Sequence, residues 1–532
     1  MAIVNFDDIL KTGFDEDALT TFTPGELIKN FGNLTTTGDL GEGIFAAADG
    51  VSIDNRGSIE TSGDGAAGIF VFGNDVTVAN RGSVTTHGSF VIEFEAFSEG
   101  ITVVGDRFHI ANYGTVRVEG DGSTAMAGAG TDGIIINYGT IEGAASDAGI
   151  FVAAGDRSQV INRGLVHISG SFDAAVLALG DDASALNLGE IRITGDTNVA
   201  MSASFASSDV TNKGVIRIAA DDVAGMVGSG NDHLVSNFGL VDAQGTFCIG
   251  LSALGNGPFA GVDNEILNSG QVLMDGELAM GVAVGLRSIG FRPATGTQVV
   301  NGGKIETVGD GAAGVVLIGN AHHLTNSGRI TTDGGSADAG FAEFRAAGVL
   351  VSGDDVVVVN ASNGVIQSKD AASAGVELNV LERAGFPAAD MSSLLENSGL
   401  IKGAGLAILG GAGQETVINH GRIVGDVDLG GGADNFTFGA GGVLAGALTL
   451  GGGHDLVVIE NGAGKARIAD FAAGAAGGDV VDVSAFFSDF DELLDSSSQK
   501  GSDVLIKLDN NDSLVLANVQ LSTLNAGDFW FV

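Results

Sequence analysis

The sequence is poor in cysteine, proline and basic residues, and each shortage excludes a class of protein. Its one cysteine, Cys248, excludes an internal disulfide, so a secreted chain of this kind needs another source of stability. Four prolines, and 87 glycines that follow no three-residue register, exclude collagen and argue against a disordered Pro/Gly tract. Twenty-four Lys and Arg against 66 Asp and Glu give a net charge of −42, which argues strongly against nucleic-acid binding.

Long apolar segments are also missing from the sequence. The nearest candidate for a membrane span, residues 438–453, is 16 residues long and glycine-rich, so we predict no span. The N-terminus has early aspartates and no basic region before an apolar run, so we predict no N-terminal signal peptide. The eight histidines are scattered, and no zinc, phosphate-loop or serine-hydrolase motif occurs.

The strongest positive feature is a repeated Asn-x-Gly tripeptide, followed two residues later by an aliphatic residue. Neighbouring copies lie 25 residues apart in eight of fourteen intervals, counting a stretched copy at Asn360. Alternating Val, Ile and Thr indicate about three short strands per copy, separated by Gly, Asn and Asp corners. The regular copies begin at Asn30, Asn55, Asn80, Asn112, Asn137, Asn162, Asn187, Asn212, Asn237, Asn268, Asn301, Asn326, Asn397 and Asn419.

Three strands and three corners in about 25 residues predict one coil of a parallel β-helix, in which equivalent strands pair about 4.8 Å apart. We therefore predict an all-β fold, a right-handed parallel β-helix with a small C-terminal β module. The hand follows from that of parallel crossovers. An antiparallel sandwich is the alternative, but its hairpins would recur at irregular spacing. We expect the repeated asparagines to stack as an internal ladder that satisfies buried corner groups.

Insertions interrupt the repeat, and loops on a rigid scaffold often carry function. One set places arginine beside phenylalanine, a combination able to grip an acidic polysaccharide. We favour the alternative, in which these Phe side chains form small satellite cores and the Arg side chains pair with local acids. A second set, which includes Phe344, could instead form a protein-contact patch. The candidate carbohydrate-binding residues are Arg287, Arg292, Arg383, Phe259, Phe291 and Phe386.

Two segments, residues 425–442 and 446–464, each contain L-G-G-G-x-D-x. They resemble degraded copies of the RTX nonapeptide G-G-x-G-x-D-x-U-x, with Leu429 and Leu450 in place of its first glycine. In intact RTX repeats, the Asp carboxylate and corner carbonyls enclose Ca²⁺. The resemblance therefore implies Ca²⁺ as a candidate ligand of Asp434 and Asp455. Ordinary turn chemistry is the alternative.

Residues 468–532 resemble the C-terminal module of proteins exported by type I secretion systems. The matching pieces are D-V-V-D-V-S at 479–484, F-x-D-F-D-E-L-L, D-V-x-I-x-L, D-S-L-V-L-x-N-V and the closing L-x-A-x-D-F-x-F at 524–531. The resemblance implies an uncleaved export signal, a type I secretion apparatus as partner, and calcium-assisted folding outside a Gram-negative cell.

Together these features predict four regions: an N-terminal cap (1–29), a β-helix with loop insertions (30–424), degenerate RTX-like coils (425–465) and a secretion module (466–532). The favoured function is a secreted structural or adhesive protein of a surface layer, biofilm matrix or filament. Its candidate partners are further copies of itself, through self-assembly, an acidic polysaccharide and a cell surface. The alternative is a lyase or epimerase acting on acidic polysaccharide, for which no catalytic set stands out.

Overall fold

The computed structural model describes residues 2–91, 98–144, 146, 150–171, 174–255, 261–287, 290–291, 294–340, 342–381, 388–474 and 478–531. These residues form a nearly all-β chain of short strands stacked in parallel, which confirms the predicted parallel β-helix. The chain divides into two compact units, residues 1–266 and 267–532. The handedness of the coil stays a prediction.

In the first unit each coil has three strands. The first strands are Ala2–Asn5, Leu27–Asn30, Ser52–Asn55, Thr77–Asn80, His109–Asn112, Ile134–Asn137, Gln159–Asn162, Ser184–Asn187, Asp209–Asn212 and Leu234–Asn237. The second strands are Ile9–Lys11, Asn33–Thr36, Ser58–Thr61, Ser83–Thr86, Thr115–Val118, Thr140–Gly143, Leu165–Ile168, Glu190–Ile193, Val215–Ala219 and Leu240–Gln244. The third strands are Leu19–Thr21, Ile44–Ala47, Ile69–Phe72, Ile101–Val104, Met126–Ala129, Phe151–Ala154, Ala174–Leu179, Val199–Ser204, Ala224–Ser229 and Ile249–Leu254, and the short strand Gly261–Val262 follows them.

The second unit repeats this plan with more irregular coils. Its first strands are Gln298–Asn301, His323–Asn326, Val356–Asn360, Ser392–Asn397, Gln414–Asn419, Asn435–Phe438, Leu456–Ile459, Val480–Asp482 and Phe529–Trp530, while Glu265–Asn268 crosses the boundary between the units. Second and third strands are Gln271–Asp275, Met280–Val284, Lys304–Val308, Val315–Ile318, Arg329–Asp333, Val349–Ser352, Val365–Ser368, Val376–Leu378, Leu400–Gly410, Arg422–Asp428, Val443–Ala445, Leu448–Thr449 and Lys465–Ile468. Short extra strands are Leu286–Arg287, Gly290–Phe291, Ala294–Thr295, Ser336–Asp338, Glu343–Arg345, Gly431–Gly432 and Gly452–Gly453.

The Asn-x-Gly tripeptide makes the corner between the first and second strands, here called the ladder corner. The residue after the asparagine faces outward, and its backbone N–H donates to the coil before, as Arg56 N does to Asn30 O at 2.7 Å. The glycine lies against the preceding coil so closely that a Cβ on Gly57 would overlap the carbonyl oxygen of Gly32. Backbone contact therefore explains why glycine recurs at this position.

The asparagine of each copy points into the core and forms a ladder with its equivalents. In the first unit each Nδ2 donates to the next Oδ1 at 2.8–3.0 Å, from Asn5 to Asn237. In the second unit the same bonds run from Asn268 to Asn419 at 2.8–2.9 Å. Every one of these side chains is buried. Because an unpaired buried amide is costly, the ladder ties each coil to the next in one register.

Aspartates occupy the other two corners, which we call the second corner (after the second strand) and the third corner (after the third strand). At the second corner Asp39 accepts the backbone N–H of Asp64 at 3.1 Å, and Asp64 accepts that of Ser89 at 2.9 Å. At the third corner Asp156 accepts the N–H of Asp181 at 3.0 Å. Part of the acidity therefore has a structural role, because these carboxylates satisfy backbone donors of the following coil.

Both ends of the chain join the stacks of their own unit. Ala2–Asn5 pairs in parallel register with Leu27–Asn30, so the segment predicted as a cap has the strand pattern of a coil. Near the C-terminus, three strands form an antiparallel sheet whose last strand also pairs in parallel with Lys465–Ile468. These strands are Ser497–Lys500, Asp503–Lys507 and Ser513–Leu516, and the helical segments are Phe490–Asp495, Ala388–Asp390, Leu521–Thr523 and Ala526–Asp528.

Candidate functional site

The outward residue of the Asn-x-Gly tripeptide forms a continuous row along the ladder corner of the first unit. Its members repeat once per coil, so they lie about 4.8 Å apart along the axis. We call them the aromatic–cation row: Phe6, Phe31, Arg56, Arg81, Tyr113, Tyr138, Arg163, Leu188, Lys213 and Phe238. All but Leu188 are exposed. At the ladder corner of the second unit, the equivalent residues include Ser269, Gly302, Ser327 and Ser398.

The members of the row stack on one another. Tyr113 and Tyr138 are parallel with ring centroids 4.9 Å apart, and Phe6 and Phe31 stack at the same distance. The guanidinium of Arg81 lies 4.5 Å from the Tyr113 ring centroid, and that of Arg163 lies 5.9 Å from the Tyr138 centroid. Because the ring faces are used within the row, its outward surface consists of ring edges and cationic N–H donors.

The charges of the row are all of one sign, in a protein with a large excess of acids. Arg56 and Arg81 both contact Asp54, at 2.9 and 3.3 Å. Among the described residues, no ion pair involves Arg163 or Lys213, whereas every other arginine of the first unit pairs with an acid. The row therefore carries four cations among aromatic side chains, and Arg163 and Lys213 in particular are able to bind an anionic partner.

The predicted carbohydrate-binding residues remain untested. Arg292, Arg383, Phe259 and Phe386 lie outside the described residues, as do the side chains of Arg287 and Phe291. The backbone places Leu286–Arg287 antiparallel to Gly290–Phe291. Carbohydrate binding by these residues therefore stays a prediction.

The insertion at residues 335–348 forms the antiparallel hairpin Ser336–Asp338 and Glu343–Arg345. Phe344 is completely buried, so it belongs to the core and not to an exposed contact patch. The hairpin also brings Arg345 to 3.8 Å from Glu377, a carboxyl that is 1% exposed. Burial raises the pKa of Glu377, and the charge of Arg345 opposes this rise. One buried acid beside one arginine does not complete an acid–base catalytic set.

Asp434 and Asp455 lie on adjacent coils and belong to a buried column with Glu415 and Asp479. Asp434 Oδ1 accepts the Glu415 backbone N–H at 2.8 Å, and Asp455 Oδ1 accepts that of Asp434 at 2.8 Å. Asp479 Oδ1 accepts the N–H of Asp455 at 3.4 Å. The four side chains are at most 3% exposed. The RTX-like pattern identified only Asp434 and Asp455. Glu415 and Asp479 were missed because the spacing of the column departs from the 25-residue repeat.

This column contains both of the residues that the sequence predicts to bind calcium. Asp434 Oδ2 and Asp455 Oδ2 are buried and accept no N–H donor, so the partners available to them are the neighbouring carboxyls of the column or a cation. Calcium takes six to eight oxygen ligands. Within the described ranges, no group of three or more His, Cys, Asp or Glu side chains is arranged to hold a metal ion. Calcium binding by Asp434 and Asp455 therefore stays a prediction.

We expect the coils of this column to lose stability as the pH rises. Burial raises the pKa of Glu415 to about 8 and that of Asp455 to about 7, and neighbouring carboxylates add to both. The folded state then holds protons that the unfolded chain releases near its ordinary pKa, so stability falls between about pH 4 and pH 8. Hydrogen exchange of residues 414–482 in EGTA should show protection decreasing over this range.

The substitution Asp455→Asn tests the same expectation. Asparagine keeps the oxygen that accepts the Asp434 N–H and removes the ionisable group. We expect the pH dependence of this segment to become flatter, with the largest gain in protection at pH 8. An unchanged pH profile in the variant would show that the column does not control the stability of these coils.

None of the helices in the described part of the chain is long and apolar enough to cross a membrane.

The first unit is similar to a known domain. Residues 10–174 and 144–239 match the family model described as BigA third pectate lyase-like domain. The two matches overlap and together cover less than half of the chain, all of it within the first unit. No curated protein matches the chain. The similarity agrees with the parallel β-helix and includes nine of the ten positions of the aromatic–cation row.

Proposed function

We propose that the protein is a surface-exposed bacterial β-helix protein with a structural or adhesive role. The aromatic–cation row carries this proposal, because it is a regular contact surface on a scaffold whose coils are joined by buried hydrogen bonds. Ten coils present it over roughly 40 Å, counted as nine steps of about 4.8 Å. Exposed aromatic and cationic groups of this extent are typical of interaction surfaces. The similarity to a BigA domain supports the proposal.

Secretion through a type I apparatus and calcium-assisted folding belong to the same proposal. The resemblance of residues 468–532 to type I secretion modules supports export. The buried carboxylate oxygens of Asp434 and Asp455, which accept no N–H donor at Oδ2, support calcium. A net charge of −42 would oppose compaction until cations screen it, which favours folding outside the cell.

The alternative function, a lyase or epimerase acting on acidic polysaccharide, is favoured by the pectate lyase-like description of the matching domain. Electron microscopy of the full chain, with and without millimolar Ca²⁺, distinguishes the two functions when combined with an assay on alginate and pectate. Ordered polymers, or sedimentation with washed Gram-negative cells, would support the structural or adhesive role. Release of unsaturated sugars by the monomeric chain would overturn it in favour of the enzyme.

A further inference from the structure

The three corners of the first unit differ in charge, and the difference suggests a partner for the aromatic–cation row. At the third corner, Arg107 and Arg157 pair with Asp75 and Asp132. The second corner instead presents acids without cations, at successive equivalent positions that also include serines and a threonine. These positions are Asp39, Asp64, Ser89, Asp121, Ser146, Ser171, Asp196, Asp221 and Thr246, and the first coil has Phe14 at the equivalent position.

The acids of the second corner retain binding capacity. Asp121, Asp196 and Asp221 each use Oδ1 to accept a backbone N–H at 2.7–3.1 Å, from Ser146, Asp221 and Thr246 respectively. In the described part of the chain, their Oδ2 atoms have no hydrogen bond or ion pair, and all three residues are exposed. A carboxylate in this state is able to accept a guanidinium or ammonium group.

The row and the second corner have the same axial repeat, because both recur once per coil of one helix. A second copy of this chain therefore offers a ladder of acids with the spacing of the row. When two copies lie side by side in opposite directions, one register places every cation in the row of one copy opposite an acid at the second corner of the other. It pairs Arg56 with Asp221, Arg81 with Asp196, Arg163 with Asp121 and Lys213 with Asp64.

The same register also matches the uncharged positions. Tyr113 faces Ser171, Tyr138 faces Ser146, Leu188 faces Ser89 and Phe31 faces Thr246, which leaves Phe238 opposite Asp39. By contrast, copies aligned in the same direction never place all four cations opposite acids. Their best register, shifted by one coil, places Arg56, Arg81 and Lys213 opposite acids and leaves Arg163 opposite Ser146. Charge and polarity therefore favour the antiparallel arrangement over the parallel one.

We infer that copies of this protein associate side by side in alternating directions, with the aromatic–cation row of one copy on the second corner of the next. This inference rests on the proposed structural role and specifies its partner. The contact joins two different surfaces, so it leaves a free row and a free corner at the edges and extends into an open array. At physiological ionic strength the Debye length is about 8 Å, so distant acids are screened while contacting charges still attract.

A charge exchange at one predicted pair tests the inference on the full chain at 0.15 M ionic strength. Sedimentation velocity and negative-stain microscopy should show association of the parent and a loss of about tenfold or more in apparent affinity for Arg163→Asp. Adding Asp121→Arg to that variant should restore association, because the exchanged charges still face each other. The matched control, Arg163→Asp with Asp196→Arg, should remain dispersed since Asp196 faces Arg81.

Three results would overturn the inference. One is a parent that stays monomeric at every concentration, the second is association unaffected by Arg163→Asp, and the third is equal rescue by Asp121→Arg and Asp196→Arg. Circular dichroism of each variant verifies folding, and a misfolded Asp121→Arg chain is replaced by Lys213→Asp with Asp64→Arg. If chains that do not associate still bind to cells, this inference is refuted and the proposed function stands. Release of unsaturated sugars would refute the proposed function.

Discussion

Replacing Asn137 with aspartate is expected to destabilise the first unit by about 3 kcal/mol at pH 7, because a buried donor becomes a buried anion. Asn137 Nδ2 donates to Asn162 Oδ1 at 3.0 Å and to Leu165 O at 3.1 Å. Aspartate has nearly the same shape but places a carboxylate oxygen against these acceptors. Urea unfolding, with hydrogen exchange of residues 126–168, measures the loss. Protonation of the new carboxyl should make the loss smaller at pH 4.

A matched control for this variant is Asn74→Asp at the third corner. The Asn74 side chain only accepts, from the Asp106 backbone N–H at 2.8 Å, and the equivalent residue one coil earlier is Asp49. Aspartate should therefore be tolerated there within about 0.5 kcal/mol. Equal effects at positions 74 and 137 would contradict an internal ladder, because they would show that donation by Asn137 does not matter.

The substitution Gly164→Ala at the ladder corner is also expected to cause a large loss of stability. A Cβ on Gly164 would overlap the carbonyl oxygen of Gly139 in the preceding coil. Accommodating the methyl group requires two coils to separate locally, which weakens the ladder bonds on either side. We expect a loss of about 2–3 kcal/mol. Thermal unfolding and exchange of residues 134–168 would measure it.

The corresponding control is Gly452→Ala. No atom outside its chain neighbours lies within 4 Å of a Cβ at Gly452, and its backbone is not in the left-handed region. Alanine at this position should change stability by less than about 0.5 kcal/mol. A Gly164→Ala chain as stable as the Gly452→Ala chain would mean that coils do not approach each other as closely as the stacked corners require.

The fold was predictable from the sequence because the residues that make its stabilising contacts recur once in every repeat. The asparagine, glycine and aliphatic positions have separate physical reasons, which are the ladder, the close corner contact and the core. Asn5 escaped the pattern because Asp7 stands where the other copies have glycine, although its side chain joins the ladder at 2.8 Å. A search for the asparagine alone at 25-residue spacing would have found it.

The aromatic–cation row was harder to predict. The residue between Asn and Gly varies in type, so no single copy of the repeat marks it as functional. The row becomes visible only when the copies are stacked on one another. The carboxyl column was recognised only in part, since Glu415, Asp434, Asp455 and Asp479 are separated by 19, 21 and 24 residues. The insertions follow no repeat, and sequence spacing therefore carries no information about where their side chains lie.

If each repeat winds once and stacks in register on the previous one, disulfides should form along the row only between adjacent coils. In a Cys248→Ser background, Tyr113→Cys with Tyr138→Cys places two thiols on adjacent coils, whose spacing of about 4.8 Å lies within the Cα range of disulfides. This pair should oxidise readily within one chain, whereas Tyr113→Cys with Arg163→Cys, two coils apart, should not. Comparable cross-linking of both pairs, or of neither, would show that the repeats do not each wind once and stack in register.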